Sequence, residues 1–370
     1  MPVPLLDLTR QYVPLRDAFQ EALDRVCSSQ RFILGAEVEA FEHEAAEALG
    51  VPHAVGMSSG TDALLVALMA LGVGHGDEVI VPTFTFFATA GVVSRLGARP
   101  VLVDVDPVDY CMDPGQIAAR LSPRTKAVLP VHLFGQSADL GAIRDACGAV
   151  PVLEDCAQSW GASWDGTPVG GIGVMGAFSF FPSKNLGCFG DGGLVTTHDA
   201  DLARLLKELR MHGQSGAYLH PHIGGNFRLD ALQAAVLRVK LPHVSAWIEG
   251  RRANARRYAG LFHDAGLDGT LGLPAEISGR GHTFNQYVVR VPRRDELRAF
   301  LAERGIGQAV YYPLPLHLQP CYEELGYREG DLPVAEQASR EVLALPVFPE
   351  LSLAELEEVV GAIAEFYGTT

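Results

Sequence analysis

From residue 53 to residue 162 short apolar runs with strand character alternate with apolar helical ones, and this rhythm restricts the fold more than any other feature. HAVGM (53–57) leads through Ser58-Ser59-Gly60-Thr61 into DALLVALMALGV. EVIVP (78–82) leads into TFTFFATAGVVSRLG, and RPVLVDVD (99–106), TKAVLPVHLFGQ (125–136) and VPVLEDCAQSWGA (150–162) follow, with a helix near Leu140 to Cys147. Strand, helix, strand in repetition predicts an α/β fold with a mostly parallel sheet covered by helices on both faces. Ligands in such folds gather beyond the carboxyl ends of the strands. Phe86, Asp155, Gln158 and the turn around Gly60 all fall at such ends.

The flanks add scaffold and a second unit. Residues 14–50 carry apolar positions at helical spacing, with Gly35 separating two amphipathic helices. RLDALQAAVLRVKL and, after Pro242, VSAWIEGRRANARRYAGLF read as helices. NQYVVRV is expected as a strand, RDELRAFLAERGI as a helix ending at Gly305, and AVYYPLPL as another strand. The 370 residues exceed what one hydrophobic core usually serves. The expected division is a large domain over 1–245 and a smaller C-terminal α+β domain over 246–370.

The chemistry concentrates in AFSFFPSKNLGCFGDGG (177–193). Ala177 to Phe181 reads as a buried strand that Pro182 ends, and Lys184 follows at once. Backbone breakers that fix the approach of a lysine past a strand end favour a desolvated, nucleophilic amine or an imine partner. Upstream, a strand enters Ser58-Ser59-Gly60-Thr61 and a helix leaves it. Free N–H groups at a helix start can seat an anion, and Ser or Thr there can equally be a plain N-cap; both readings stay open for Gly60 and Thr61. Gly171, Gly173 and Gly176 match the GxGxxG spacing of nicotinamide sites. The match follows a polar turn, WDGTP, and runs into a strand, whereas the fingerprint needs a strand before it and a helix within it, so it reads as a structural glycine loop.

Charge and cysteine usage narrow the classes further. A formal net charge of −15 argues against nucleic-acid binding and against attachment to anionic membrane, so an anionic ligand needs local donors. Six cysteines without a CxxC pair read as reduced thiols in a cytoplasm, and no zinc site is expected. His220 and His222 lack a third ligand at usable spacing. MPVPLLDLTRQYVPLR has neither a basic n-region nor an apolar h-region, and no stretch is long and apolar enough to span a bilayer.

A lysine, a helix-end anion seat, a strand-end carboxylate and a strand-end aromatic together suit pyridoxal phosphate, which asks for an imine partner, a phosphate seat, an acid at the ring nitrogen and a flat face. The segments SSGTDAL, PTFTFFAT, VHLFGQSADL, EDCAQSWGA, FSFFPSKNLGCFGDGG, NFRLDALQAA and YYPLPLHLQP, in this order and spacing, resemble the DegT/DnrJ/EryC1/StrS sugar aminotransferases, which have pyridoxal phosphate fold type I. The resemblance spans essentially the whole chain. It implies that Lys184 bonds the cofactor, Asp155 faces the ring nitrogen, Gln158 lies near the ring hydroxyl and Phe86 stacks on the ring. Gly60, Thr61 and Ser179 would hold the phosphate, with Asn226 reaching it from the other subunit of a homodimer. The implied reaction takes an amine from glutamate, through pyridoxamine phosphate, to a keto sugar on a nucleotide diphosphate. YYPLPLHLQP with FFPSKNLGC looks more like members acting on 3-keto than on 4-keto sugars, including those serving acetamido-uronic acids. Arg228, Tyr312 and His317 are the candidates for the sugar or diphosphate. Two siblings are weighed against this: dehydratases, in which histidine replaces the lysine, and regulatory members without turnover. Lys184 speaks against the first and the intact set of Lys184, Asp155 and Ser179 against the second.

Overall fold

Neighbouring residues of one strand enter different hydrophobic cores, as the two-residue period of a strand requires when both faces of a sheet are covered. The computed structural model describes residues 2–369. Helices α1 (Thr9–Ser29) and α2 (Ala36–Leu49) lead into β1 (His53–Met57), α3 (Gly60–Ala70), β2 (Glu78–Pro82), α4 (Ala88–Arg95), β3 (Arg99–Val103), β4 (Thr125–Val128), α5 (Leu140–Cys147) and β5 (Leu153–Asp155). A small hairpin, β6 (Ser163–Trp164) and β7 (Thr167–Pro168), precedes β8 (Met175–Ser179), β9 (Gly193–Thr197), α6 (Ala200–Leu209) and α7 (Ala231–Lys240). The chain ends with α8 (Val244–Asp264), β10 (Tyr287–Arg290), α9 (Arg294–Glu303), α10 (Pro333–Glu341), β11 (Val342–Leu345) and α11 (Leu353–Tyr367).

The large sheet runs β3-β2-β4 in parallel, then β5-β8 in parallel, then β9 and β1. Parallel bridges Val128–Val152 and Val131–Asp155 join the two halves. Only β9 among these strands runs against its neighbours, pairing antiparallel with both β8 and β1. The carboxyl ends of β1, β5 and β8 therefore share one edge. On one face Val55, Val79, Leu102, Ala127, Met175 and Ala177 pack with α3, α4 and α6. On the other, Ala54, Phe178 and Leu194 pack with α1, α2 and α7, while Ile80, Val103 and Val128 pack with α5, α10 and residues of β10 and β11.

The last strand differs from expectation. AVYYPLPL forms no strand beyond a single bridge, Ala309–Ala344; Pro313 and Pro315 lack the N–H groups a ladder needs. The partner of β10 is β11, antiparallel in the register Tyr287–Leu345 to Arg290–Val342. Around this pair Tyr258, Phe262, Leu297, Leu301, Leu356 and Ile363 form a separate core that also takes in Val3 from the start of the chain. Helix α8 begins in the large core, with Val244 and Ile248, and ends in this one. The expected boundary at 245/246 falls in its first turn. No helix among the described residues is long and apolar enough to cross a membrane.

A buried carboxylate ties the late segment back to the sheet. Asp104, just past β3, accepts the N–H groups of Val334 and Ala335 at 2.9 and 2.8 Å, capping α10 from 230 residues away in sequence. Asp104→Ala leaves the buried Ala335 N–H and the half-buried Val334 N–H without this partner, and should lower unfolding stability by about 1–3 kcal/mol, with Asp104→Asn losing less. Denaturant titration of the three proteins checks the order.

Candidate active site

The site forms where the three strand ends meet. Ser179 ends β8, the next turn carries Lys184, and Gly60 begins α3 directly opposite: a methyl group on Gly60 would lie 2.5 Å from the Ser179 Cβ, so only glycine allows this approach. Ser59 caps α3 by accepting the Asp62 N–H at 3.0 Å. The N–H groups of Gly60 and Thr61 come ahead of the helical ladder and face the same end. Ser59 is thus the cap, and the N–H groups of Gly60 and Thr61 stand at the start of α3.

Lys184 and Asp155 share a desolvated space. The Lys184 N–H donates to the Phe181 carbonyl at 2.9 Å, closing the turn. Its amine has no hydrogen bond among the described residues. Burial brings it down to about 8, against the opposing pull of the Asp155 charge. Asp155 is buried; its carboxylate accepts from the Thr89 hydroxyl at 2.9 Å and the Ala157 N–H at 3.1 Å. Burial raises its pKa even so, with those two bonds and Lys184 working the other way. A carboxylate in this state gains from a further cationic partner.

The remaining candidates are distributed unequally. Gln158 is fixed from both ends, its oxygen accepting the Phe134 N–H at 2.7 Å and its nitrogen donating to the Tyr312 hydroxyl at 3.1 Å. Tyr312, a sugar candidate, therefore belongs beside Gln158, and its ring sits 6.4 Å from that of Phe86. Phe86 is 59% exposed, a large aromatic left open at a strand end. Arg228 bridges to Met57 at the end of β1, and its Nε is buried with no partner. Asn226 is exposed, and its side chain has no partner among the described residues. His317 is corrected: at 2% exposure its Nδ1 meets the Thr83 hydroxyl at 2.8 Å and its Nε2 meets Glu336 at 3.1 Å. Both ring nitrogens are engaged, so it joins the late segment to β2 in place of contacting a substrate. Thr89, which the sequence reading missed, was signalled by a hydroxyl four residues after Thr85, among apolar neighbours in the first turn of α4.

Behind the site the glycine loop finds its purpose. Strand alternation points Glu154 away from Asp155, and its fully buried carboxylate accepts the N–H groups of Gly170, Ile172 and Gly173 at 2.7–2.8 Å and His132 Nε2 at 3.0 Å. Burial works to raise Glu154, but these donors, the His132 bond foremost, hold it below the usual carboxylate value. A side chain at Gly173 would run into the Val152 carbonyl. The GxGxxG match is thus a nest for the protein's own carboxylate. His132, Glu154 and Cys156 bring ligand atoms within 4.8 Å of one another. However, both Glu154 oxygens are filled, His132 Nδ1 accepts the Ala138 N–H at 3.0 Å, and burial pushes the Cys156 thiol well up. Nothing in this trio is free to bind a cation.

Residues 14–364 match the model of the DegT/DnrJ/EryC1/StrS aminotransferase family. The chain belongs to this family. It is 49% identical over 369 residues, 99% of each chain, to a pleiotropic regulatory protein of Geobacillus stearothermophilus. It is 46% identical, over 98% of this chain and 97% of the relative, to a UDP-N-acetyl-3-dehydro-alpha-D-glucosamine 3-aminotransferase of Acidithiobacillus ferrooxidans. The crystal structure of S. venezuelae DesV in complex with a ketimine intermediate superposes with a TM-score of 0.95 at 44% identity, covering 99% of this chain and 98% of that one. The protein is an aminotransferase of fold type I.

A depressed lysine has a direct kinetic signature, because only the neutral amine attacks an aldehyde. In the cofactor-free protein, the rate of covalent capture of pyridoxal phosphate should rise about tenfold per pH unit below pH 8 and level off above it. An unperturbed lysine would keep accelerating to about pH 10. Absorbance-detected mixing across this range separates the two.

Proposed function

We propose that this aminotransferase moves the amino group of glutamate onto a nucleotide-diphosphate keto sugar, with the 3-keto position favoured, using pyridoxal 5'-phosphate and its pyridoxamine form. The observation that carries the reading is the pairing of a desolvated Lys184 amine with a buried Asp155, opposite the Gly60–Ser179 approach. These residues fit the cofactor. Gly60, Thr61 and Ser179 offer donors to a phosphate, Asp155 offers a carboxylate short of a cation, and Arg228 has a buried Nε without a partner. The bound cofactor supplies an electron sink for the carbon that loses its proton.

The chain's own groups do the rest. Asp155, fixed by Thr89 and Ala157, holds a proton on the ring nitrogen; Gln158, fixed by Phe134 and Tyr312, presents its amide to the ring hydroxyl side; Phe86 covers one face. Lys184 then takes a proton from the substrate carbon and returns it on the way to product. Arg228 is the cationic candidate for the diphosphate, acting as a local donor in a chain of net charge −15. The 3-keto preference is supported by the 3-aminotransferase named among the relatives. The regulatory name of another relative is set against a complete proton-transfer set here. With six unpaired cysteines, the proposed compartment is the cytoplasm.

A homodimer with shared sites completes the reading. Tyr218 and Ile223, in the loop before Asn226, are 95% and 92% exposed, and Phe86, Phe87 and Phe181 are also uncovered. An open cavity of about 1280 Å³ starts at Thr61 and Phe86 and runs along α4 past Phe87 to Tyr322. Apolar side chains this exposed suit a second copy of the chain.

Two experiments test the proposal. Incubated with glutamate and a panel of keto-sugar nucleotides, the enzyme should form 2-oxoglutarate and place the new amine at the former 3-ketone, as read by mass spectrometry and NMR. Turnover with 4-keto sugars alone would reverse the ring position, and turnover with none would reject the substrate class. For the shared site, Lys184→Ala and Asn226→Ala proteins, each inactive alone, should regain activity at roughly a quarter of sites after random subunit exchange, because half the dimers then hold one intact site. No recovery despite demonstrated exchange rejects a trans contact.

A further inference from the structure

The turn that carries Lys184 is gripped from outside the site by one face of α7. Gln233 makes a two-point contact with the backbone of Phe189: its Oε1 accepts the Phe189 N–H at 2.8 Å and its Nε2 donates to the Phe189 carbonyl at 3.4 Å. Two helical turns on, Lys240 donates from Nζ to the Gly187 carbonyl at 2.6 Å, three residues from Lys184, with its ammonium 5.2 Å from the centre of the Phe189 ring. The turn is already folded tightly on itself. Cys188 gives both its N–H and its Sγ–H to the Phe180 carbonyl, and a side chain on Gly187 would strike the Pro182 carbonyl.

We propose that Gln233 and Lys240 are positioning residues for Lys184, pinning the Lys184–Gly190 turn against α7 so that the amine stays out of water and facing Asp155. This rests on Lys184 being the residue that bonds the cofactor. Neither side chain contacts the reacting atoms. Burying Lys240 to 5% exposure for one carbonyl bond and one ring contact is a costly way to close a loop that already has its own backbone bonds. The cost is intelligible if the position of the turn, and not only its closure, has to be held. Burial lowers Lys240 to about 8 against the opposing Cys188, so its hydrogen bond to Gly187 works from either protonation state. Helix α7 is capped by Asp230, shortly after Asn226 and Arg228, so the segment with the proposed phosphate contact leads directly into the helix that holds the Lys184 turn.

The test reads the amine itself. Competitive acetylation of the full-length, cofactor-free chain with acetic anhydride, followed by peptide mass spectrometry, gives the pH dependence of Lys184 reactivity. In Lys240→Met and in Gln233→Leu, the turn should loosen and water reach the amine. Acetylation of Lys184 near pH 8 should then fall by about tenfold as its titration moves toward that of a free lysine. Lys207→Met, on the exposed side of α6, serves as control and should leave the profile of the parent protein. Gln233 is only partly buried, so its variant gives the answer if Lys240→Met fails to fold. An unchanged Lys184 profile in folded Gln233→Leu or Lys240→Met overturns the proposal, whatever happens to melting temperature or turnover. Recovery of the cofactor on a different lysine after borohydride reduction would instead remove the reading on which the proposal stands.

Discussion

Two opposite charges held in little water, Lys184 and Asp155, are the constraint around which the sheet edge is arranged. Burial acts on both in the direction of neutrality, lowering the lysine to about 8 and raising the aspartate, and each opposes the effect on the other. Such a pair is expensive to bury. The remaining structure supplies what this demands: parallel strands that bring β5 and β8 to the same edge, Thr89 and Ala157 to fix the carboxylate, and a tight turn to deliver the amine.

The reverse face of β5 answers a second buried charge in a different way. The carboxylate of Glu154 is stabilised by backbone N–H groups from residues 170–173 and by His132. Two adjacent acids on one strand thus shift in opposite directions through environment alone: Asp155 upward, because burial outweighs its two hydrogen bonds and Lys184, and Glu154 downward, because its carboxylate is saturated with donors. The glycine spacing that imitates a nucleotide fingerprint follows from the second case, since a loop must come close to bring three N–H groups onto one carboxylate.

Much of this was legible in sequence because it is local. Strand–helix alternation, the Gly60 turn and the glycine loop without a following helix all concern neighbours in the chain, and each stands in the structure where the pattern put it; the strand before Lys184 differs from the expected Ala177–Phe181, since β8 runs Met175–Ser179, ends before Pro182 is reached and leaves Phe181 exposed. AVYYPLPL shows the limit of the same reasoning. Its aromatic and β-branched residues suit a strand, but its prolines deny the ladder, and the pairing went to VLAL of β11, whose short apolar run carries no distinguishing period. His317 looked like a polar residue in a site motif, and became a buried link because Thr83 and Glu336 arrive from elsewhere.

The sequence by itself determined the fold class and the alternation of strands and helices along the sheet, because period, breakers and motif spacing are properties of contiguous residues. Only the tertiary structure decided which buried group each polar side chain would serve. Glu154 meets the glycine loop 16–19 residues on, Lys240 meets Gly187 across 53 residues, and Asp104 meets α10 across 230. No local pattern encodes such partners. They follow from the cost of leaving buried donors and acceptors unpaired once the two faces of the sheet have been covered.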